Sequence, residues 1–143
     1  MREELEQNLM DEFNFMIARN LWSGKKLDFA FPCECSDGWF DLIYNLCQEI
    51  QKVLDKESPE FIEGFYPVQI KEKFASLRYY TTYGNDEIFK LINEAEGKSE
   101  VTCEVCGVKG EVCIRGIWLR CLCEKCRDEQ GYRDCRKRDE EII

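Results

Sequence analysis

The sequence predicts an α+β fold, a small helix and β-hairpin domain followed by a cysteine-rich module. Three observations predict it. Apolar residues recur at three- and four-residue steps in two long stretches of the first half. Two runs rich in β-branched and aromatic residues follow, close enough together to form a hairpin. Cys103-Glu-Val-Cys106 and Cys123-Glu-Lys-Cys126 then appear, separated by sixteen residues.

Taken in order, Leu5, Leu9, Phe13, Met16, Ile17 and Leu21 mark an amphipathic helix over residues 2–20, ended by Ser23-Gly24. The stretch from Leu27 to Pro32 reads as extended, because its apolar positions alternate and the proline biases Phe31 away from helix. Cys33-Glu-Cys35 forms a turn. Ser36 or Asp37 can cap a helix over residues 38–56, whose apolar face runs through Trp39, Phe40, Ile43, Leu46, Cys47, Ile50, Val53 and Leu54. Glu57-Ser-Pro-Glu60 reads as a linker. Residues 65–71 and 77–83 read as strands, connected by residues 72–76. After the break at Gly84, Asp86 can cap a helix carrying Ile88, Phe89, Leu91, Ile92 and Ala95, which runs to Ser99. Residues 111–115 and 117–122 read as two strands joining the cysteine pairs. From Glu124 the chain is charged and reads as helix, with Gly131 as its weak point. The expected organisation is a domain over residues 1–100, a ribbon over 101–128 and a charged helix or tail over 129–143.

Each Cys-x-x-Cys pair can sit on a tight turn and present two thiolates, so four sulfurs close a tetrahedron around one Zn²⁺. The arrangement is similar to a zinc ribbon, with Cys103, Cys106, Cys123 and Cys126 as ligands and with Gly107, Gly110 and Gly116 giving the turns a permissive backbone. Four thiolates leave no place for a water, which marks the site as structural. Six cysteines lie outside it: Cys33, Cys35, Cys47, Cys113, Cys121 and Cys135.

At 143 residues and 44% hydrophobic content the chain can build one core with a metal-stapled module beside it. It has no apolar run of eighteen residues, and its acidic start lacks the order of a signal peptide, so a cytoplasmic protein without a membrane span is expected. In a reducing compartment, clustered cysteines read as metal ligands before disulfides. The net charge of −9 is uneven. Residues 1–100 carry 11 Lys/Arg against 20 Asp/Glu, and residues 101–138 carry 9 against 6. Zinc with four thiolates adds −2 to the second region, leaving about +1. Double-stranded DNA is therefore not an expected partner, and the basic run from Arg133 to Arg138 reads first as a solvated face.

Four segments carry a resemblance. They are Asp37-Gly-Trp-Phe-Asp-Leu-Ile-Tyr-Asn-Leu-Cys47, Val68-Gln-Ile-Lys-Glu-Lys-Phe-Ala-Ser-Leu-Arg-Tyr-Tyr80, and the knuckles Cys103-Glu-Val-Cys-Gly107 and Trp118-Leu-Arg-Cys-Leu-Cys123. Together they resemble a family of small zinc-ribbon proteins encoded mostly by bacteriophages and prophages, over about residues 28–126. The resemblance implies the cytoplasm of a host cell, and a host macromolecule as partner. It brings no enzymatic activity with it. The chain departs from the family in having Ala75-Ser76 where glycine is usual at the hairpin turn, and Cys126 where histidine is common.

The chain has no histidine, which excludes a Ser-His-Asp triad, a Cys-His dyad, a histidine-bound catalytic zinc and a histidine base. No glycine-rich phosphate loop is present. Paired carboxylates or a lysine-activated cysteine stay open as catalysts, although no spacing singles out a pair. Lys71, Lys73 and Arg78 are the candidate ligand group, with Asp37 and Trp39 beside them: on a hairpin the two lysines share a face and the arginine approaches from the partner strand. They could bind an anionic nucleotide, whose base would stack on Trp39, Tyr79 or Tyr80. Equally, they could pair with Glu72, Asp37 or Asp41 and solvate the sheet. Trp39 and Phe74 read first as core residues. Three function classes remain: a non-enzymatic protein that docks on a host defence or regulatory component, a binder that sequesters a nucleotide, and a nucleic-acid-binding ribbon working through Arg115, Arg120 and the basic run.

Overall fold

In the computed structural model, which describes residues 1–135, the α+β architecture is built from five helices and three small antiparallel sheets. Helix α1 spans Glu3–Glu12 and ends where Phe13 turns extended, at φ −126° and ψ 110°. This corrects the helix expected over residues 2–20. Phe13 and Phe15 are both buried, with ring centroids 5.7 Å apart, and residues two apart lie on opposite sides of a helix. An irregular chain buries both. Strand β1 (Ile17–Arg19) then pairs antiparallel with β2 (Lys26–Ala30). In the turn between them the Asn20 side-chain carbonyl accepts from the Trp22 and Ser23 amides, at 2.9 and 3.1 Å.

Helix α2 (Phe40–Leu54) buries Ile43, Leu46, Cys47, Ile50, Val53 and Leu54, the stripe that its periodicity predicts. A 3₁₀ turn at Asp37–Trp39 precedes it, and neither Ser36 nor Asp37 caps through its side chain. Asp37 is engaged elsewhere. It accepts from the Arg2 amide at 2.9 Å and pairs with the Arg2 guanidinium at 2.7 Å. The expected linker holds a short helix, α3 (Pro59–Gly64), because Ser58 accepts the Phe61 N–H through its side chain and Pro59 presets the first turn.

Strands β3 (Pro67–Lys73) and β4 (Ser76–Thr81) form the hairpin with Lys71 opposite Arg78 and Lys73 opposite Ser76. Only Phe74 and Ala75 make the turn, at φ 51° and 67°, so both central residues take the left-handed conformation that tight hairpins demand. Ala75 is fully buried, but Phe74 is 72% exposed, which corrects its expected place in the core. Helix α4 (Asp86–Ser99) is capped by Asn85, not Asp86: the Asn85 side chain accepts the Ile88 N–H at 2.9 Å. It packs against α2 and flanks β4, where the Leu77 amide donates to Ser99 Oγ at 2.8 Å.

The C-terminal module centres on β5 (Glu111–Arg115), flanked by β6 (Trp118–Leu122) and by β7 (Arg133–Asp134). Helix α5 (Glu124–Glu129) ends before Gly131, whose φ of +73° turns the chain back so that β7 can pair with β5. The helix expected from Glu124 onward is thus a single short one followed by a strand. Residues 136–143, with most of the expected charged tail, lie outside the described residues. The boundary expected at residue 100 is a packed seam: Cys121 is buried in the main core, and Val112 and Leu119 pack against that core. No helix among the described residues is long and apolar enough to cross a membrane.

Candidate metal centre

The first cysteine pair lies on a knuckle closed by two backbone bonds. The Cys103 amide donates to the Val108 carbonyl at 2.7 Å, and the Gly107 amide donates to the Cys103 carbonyl at 2.9 Å, with Gly107 at φ +84°. A side chain at position 107 would be strained there. The second pair opens α5, with Cys123 at the N-cap position accepting the Cys126 N–H through its sulfur at 3.4 Å. The two knuckles bring Cys103, Cys106, Cys123 and Cys126 together, with all four Sγ atoms within 4.8 Å of one another. No disulfide joins them.

The donor set fits a metal ion. Sulfurs about 2.3 Å from a tetrahedral ion lie about 3.8 Å apart, and the Cys106 and Cys123 sulfurs are separated by 3.6 Å. Burial raises the Cys103 thiol pKa, but the amides of Cys106, Cys123 and Val105 outweigh it and hold the thiol down at about 7. Burial beside three other sulfurs pushes the Cys126 thiol up. Four soft donors at this spacing could hold a metal cation. Cys103 and Cys126 are buried and Cys106 is exposed, so one corner of the cluster reaches the surface.

The other cysteines are held apart from it. Cys113 Sγ donates to the Glu111 carbonyl and Cys121 Sγ to the Glu100 carbonyl, each at 3.3 Å. Burial pushes the thiols of Cys35, Cys47 and Cys121 up to about 12, which suits packing and opposes nucleophilic use at neutral pH. Cys47 sits against Tyr79, whose hydroxyl donates to Met16 Sδ at 3.2 Å.

Behind the first knuckle lies a polar cluster that the sequence did not signal. Glu104 is 3% exposed, and its carboxylate accepts from Arg120 Nε at 3.1 Å and from the Ser36 amide at 2.9 Å. Its carbonyl accepts from the Gly38 amide at 2.7 Å, while Arg120 Nη2 donates to Ser36 Oγ at 2.9 Å. A Cβ on Gly38 would stand 2.4 Å from the carbonyl oxygens of Cys103 and Glu104, so the 3₁₀ turn lies directly on the knuckle. Beside it the Trp39 indole N–H donates to the Thr102 carbonyl at 2.9 Å. The elements that hold the cysteines are thereby tied to the start of α2.

The candidate ligand group is placed differently from a pocket. Trp39 is fully buried and has no face open to a base. Asp37 is paired with Arg2, and Arg78 donates to Ser76 Oγ and the Leu77 carbonyl, with Glu96 at 4.0 Å. Lys71 and Lys73 share the outer face of the hairpin, and no carboxylate pairs with either among the described residues. Of the cations proposed for nucleic acid, Arg120 is engaged with Glu104. Arg115 lies over the Tyr132 ring at 4.7 Å and donates to the Gln130 carbonyl at 2.8 Å.

Fold and site define a class: an α+β protein whose cysteine ribbon is docked on its main core and carries four thiols able to hold a metal ion. Comparison of the chain with protein-family models, with curated proteins and with solved structures finds no match in any of the three.

Proposed function

We propose that the protein is a zinc-stapled binding protein without catalytic activity, and that the metal fixes a surface for docking on another macromolecule. The observation that carries this reading is the cluster of four sulfurs within 4.8 Å, free of disulfides and belonging to two turns of a ribbon. Zinc is the ion that such a set favours: it is soft enough for thiolates and satisfied by four of them, which leaves no open position for a reacting water. Five of the remaining cysteines, Cys33, Cys35, Cys47, Cys113 and Cys121, are buried packing residues, and no histidine is available to activate one. The nucleotide-binding alternative is less well supported, since Arg78 is satisfied internally and Trp39 is sealed in the core. The resemblance to phage-encoded zinc-ribbon proteins supports a macromolecule of the host cell, such as a defence or regulatory component, as the target.

Metal analysis of protein purified without chelator tests the reading. One equivalent of zinc per chain is expected, with no visible absorption. Iron with sulfur-to-metal charge-transfer bands, or a metal content near zero, would overturn it.

A further inference from the structure

The turn of the β3–β4 hairpin is built against local preference. Two-residue turns with positive φ at both centres are made cheaply by Asn-Gly or Gly-Gly, whereas this one uses Phe74 at 51° and Ala75 at 67°. Ala75 has a structural reason to be there. It is fully buried, and its amide donates to Glu72 Oε2 at 2.7 Å. Phe74 has no such reason: it combines a strained backbone with a ring that is 72% exposed. Folding alone would favour a small polar residue or glycine, so the ring is kept for what it contacts outside the chain.

Its surroundings say what that is. Lys73 Nζ stands 5.7 Å from the centre of the Phe74 ring. Lys71 lies on the same face two residues back, opposite Arg78, and neither lysine has a carboxylate partner among the described residues. Tyr80, 43% exposed and opposite Gln69, ends the same stripe. From the turn to Tyr80 the stripe follows β4 for four steps beyond Ser76, about 14 Å at about 3.4 Å per residue, the span of an extended peptide of about four or five residues. Aromatic side chains stand at both ends and cations in between.

We infer that this outer face, with Phe74, Tyr80, Lys71 and Lys73, is the docking surface, and that it takes an extended acidic segment of a partner protein that carries apolar side chains at its ends. Charge decides between polyanions. The first hundred residues carry 20 acidic side chains against 11 basic ones, which repels a long nucleic acid but tolerates a short acidic peptide seated on a local cationic stripe. The inference rests on the reading of the protein as a binding protein, and it can fail with that reading intact, since the metal content is independent of this face.

The test is selection of a displayed library of random twelve-residue peptides on the metal-loaded protein, with a fluorescein-labelled dT12 strand as a second probe. Enriched peptides are expected to pair Asp or Glu with aromatic or aliphatic residues. They should lose at least tenfold in affinity against Phe74→Gly and against Lys73→Glu. Phe74→Gly should melt at or above the wild-type temperature, so that loss of binding comes with no loss of folding. Absence of enrichment, or peptides that bind Phe74→Gly as well as wild type, overturns the assignment. So does a Phe74→Gly protein that melts lower, because the ring is then structural. If dT12 binds instead, and is lost in the same variants, the face is a nucleic-acid site and the acidic-peptide assignment is wrong.

Discussion

Glu104 and Arg120 meet at 3.1 Å across the base of the ribbon, where the carboxylate side chain is 4% exposed and the guanidinium 22%. The first belongs to the first cysteine knuckle and the second to β6, and both also bond Ser36 just ahead of α2. A buried ion pair gains little over a well-packed apolar pair, but removing one partner leaves the other charge uncompensated. Arg120→Ala is therefore expected to cost roughly 3 kcal/mol, read from chemical denaturation. Glu104→Ala combined with Arg120→Ala should cost less than the sum of the two single changes. Strict additivity would show that the pair is not coupled.

The cysteines should separate sharply into ligands and packing residues. Cys106→Ser removes a ligand and with it folding free energy on the order of 10 kcal/mol, so the ribbon should lose its metal and its fold. Cys113→Ser should keep a full equivalent of metal, since its sulfur bonds only to backbone carbonyls. Metal content after purification and dialysis distinguishes the two.

Gly38→Ala tests the seam from the other side. The added methyl would stand 2.4 Å from two carbonyl oxygens of the knuckle, so either the 3₁₀ turn or the ribbon must move. A loss of about 3 kcal/mol is expected. Ala at Gly97, where a Cβ would meet nothing within 4 Å, serves as the control and should be neutral or slightly stabilising.

Burial raises the Glu72 carboxyl above the ordinary carboxylate range, opposed by the Ala75 amide that it accepts from. The folded state then holds its proton more tightly than the unfolded chain, so this group's contribution to stability falls as pH rises from the ordinary carboxylate range through the raised value. Glu72→Gln keeps an acceptor for Ala75 and removes the charge. It should raise the melting temperature at pH 7 and leave it unchanged at pH 3. A variant that is less stable than wild type at pH 7 would contradict this.

Much of the site was legible in the sequence because ligand spacing is a local property: the cysteines at 103, 106, 123 and 126 needed only two turns and a hairpin to meet. The stripe of α2 and the pairing of β3 with β4 were legible for the same reason, as periodicity is local. Phe13, Met16 and Ile17 continue a helical period that the backbone abandons, since burying Phe15 against Phe65 is a tertiary gain that no window of sequence displays. The cap at Ser58, followed by Pro59, was a readable signal that the neighbouring charges obscured. The turn at Phe74-Ala75 was not readable from its residue types, which argue against it. Glu104 gave no sign, because an acid inside a cysteine knuckle looks like ordinary surface charge until Ser36 and Arg120 are brought to it.

The contacts of Ser36 reach 68 residues forward to Glu104 and 84 to Arg120. A chain emerging from the ribosome therefore presents the start of α2 long before its partners exist. Until then the Trp39 indole and the Gly38 amide lack the carbonyls they bond in the finished protein, and the core stays open where Cys121 closes it. Such distant closure is slow in folding, and here it waits for Glu104 and Arg120. A metal ion held by the four cysteines would thus be the latch of assembly: in ordering the knuckles it would bring Glu104 to its seat and close the core begun by the first hundred residues.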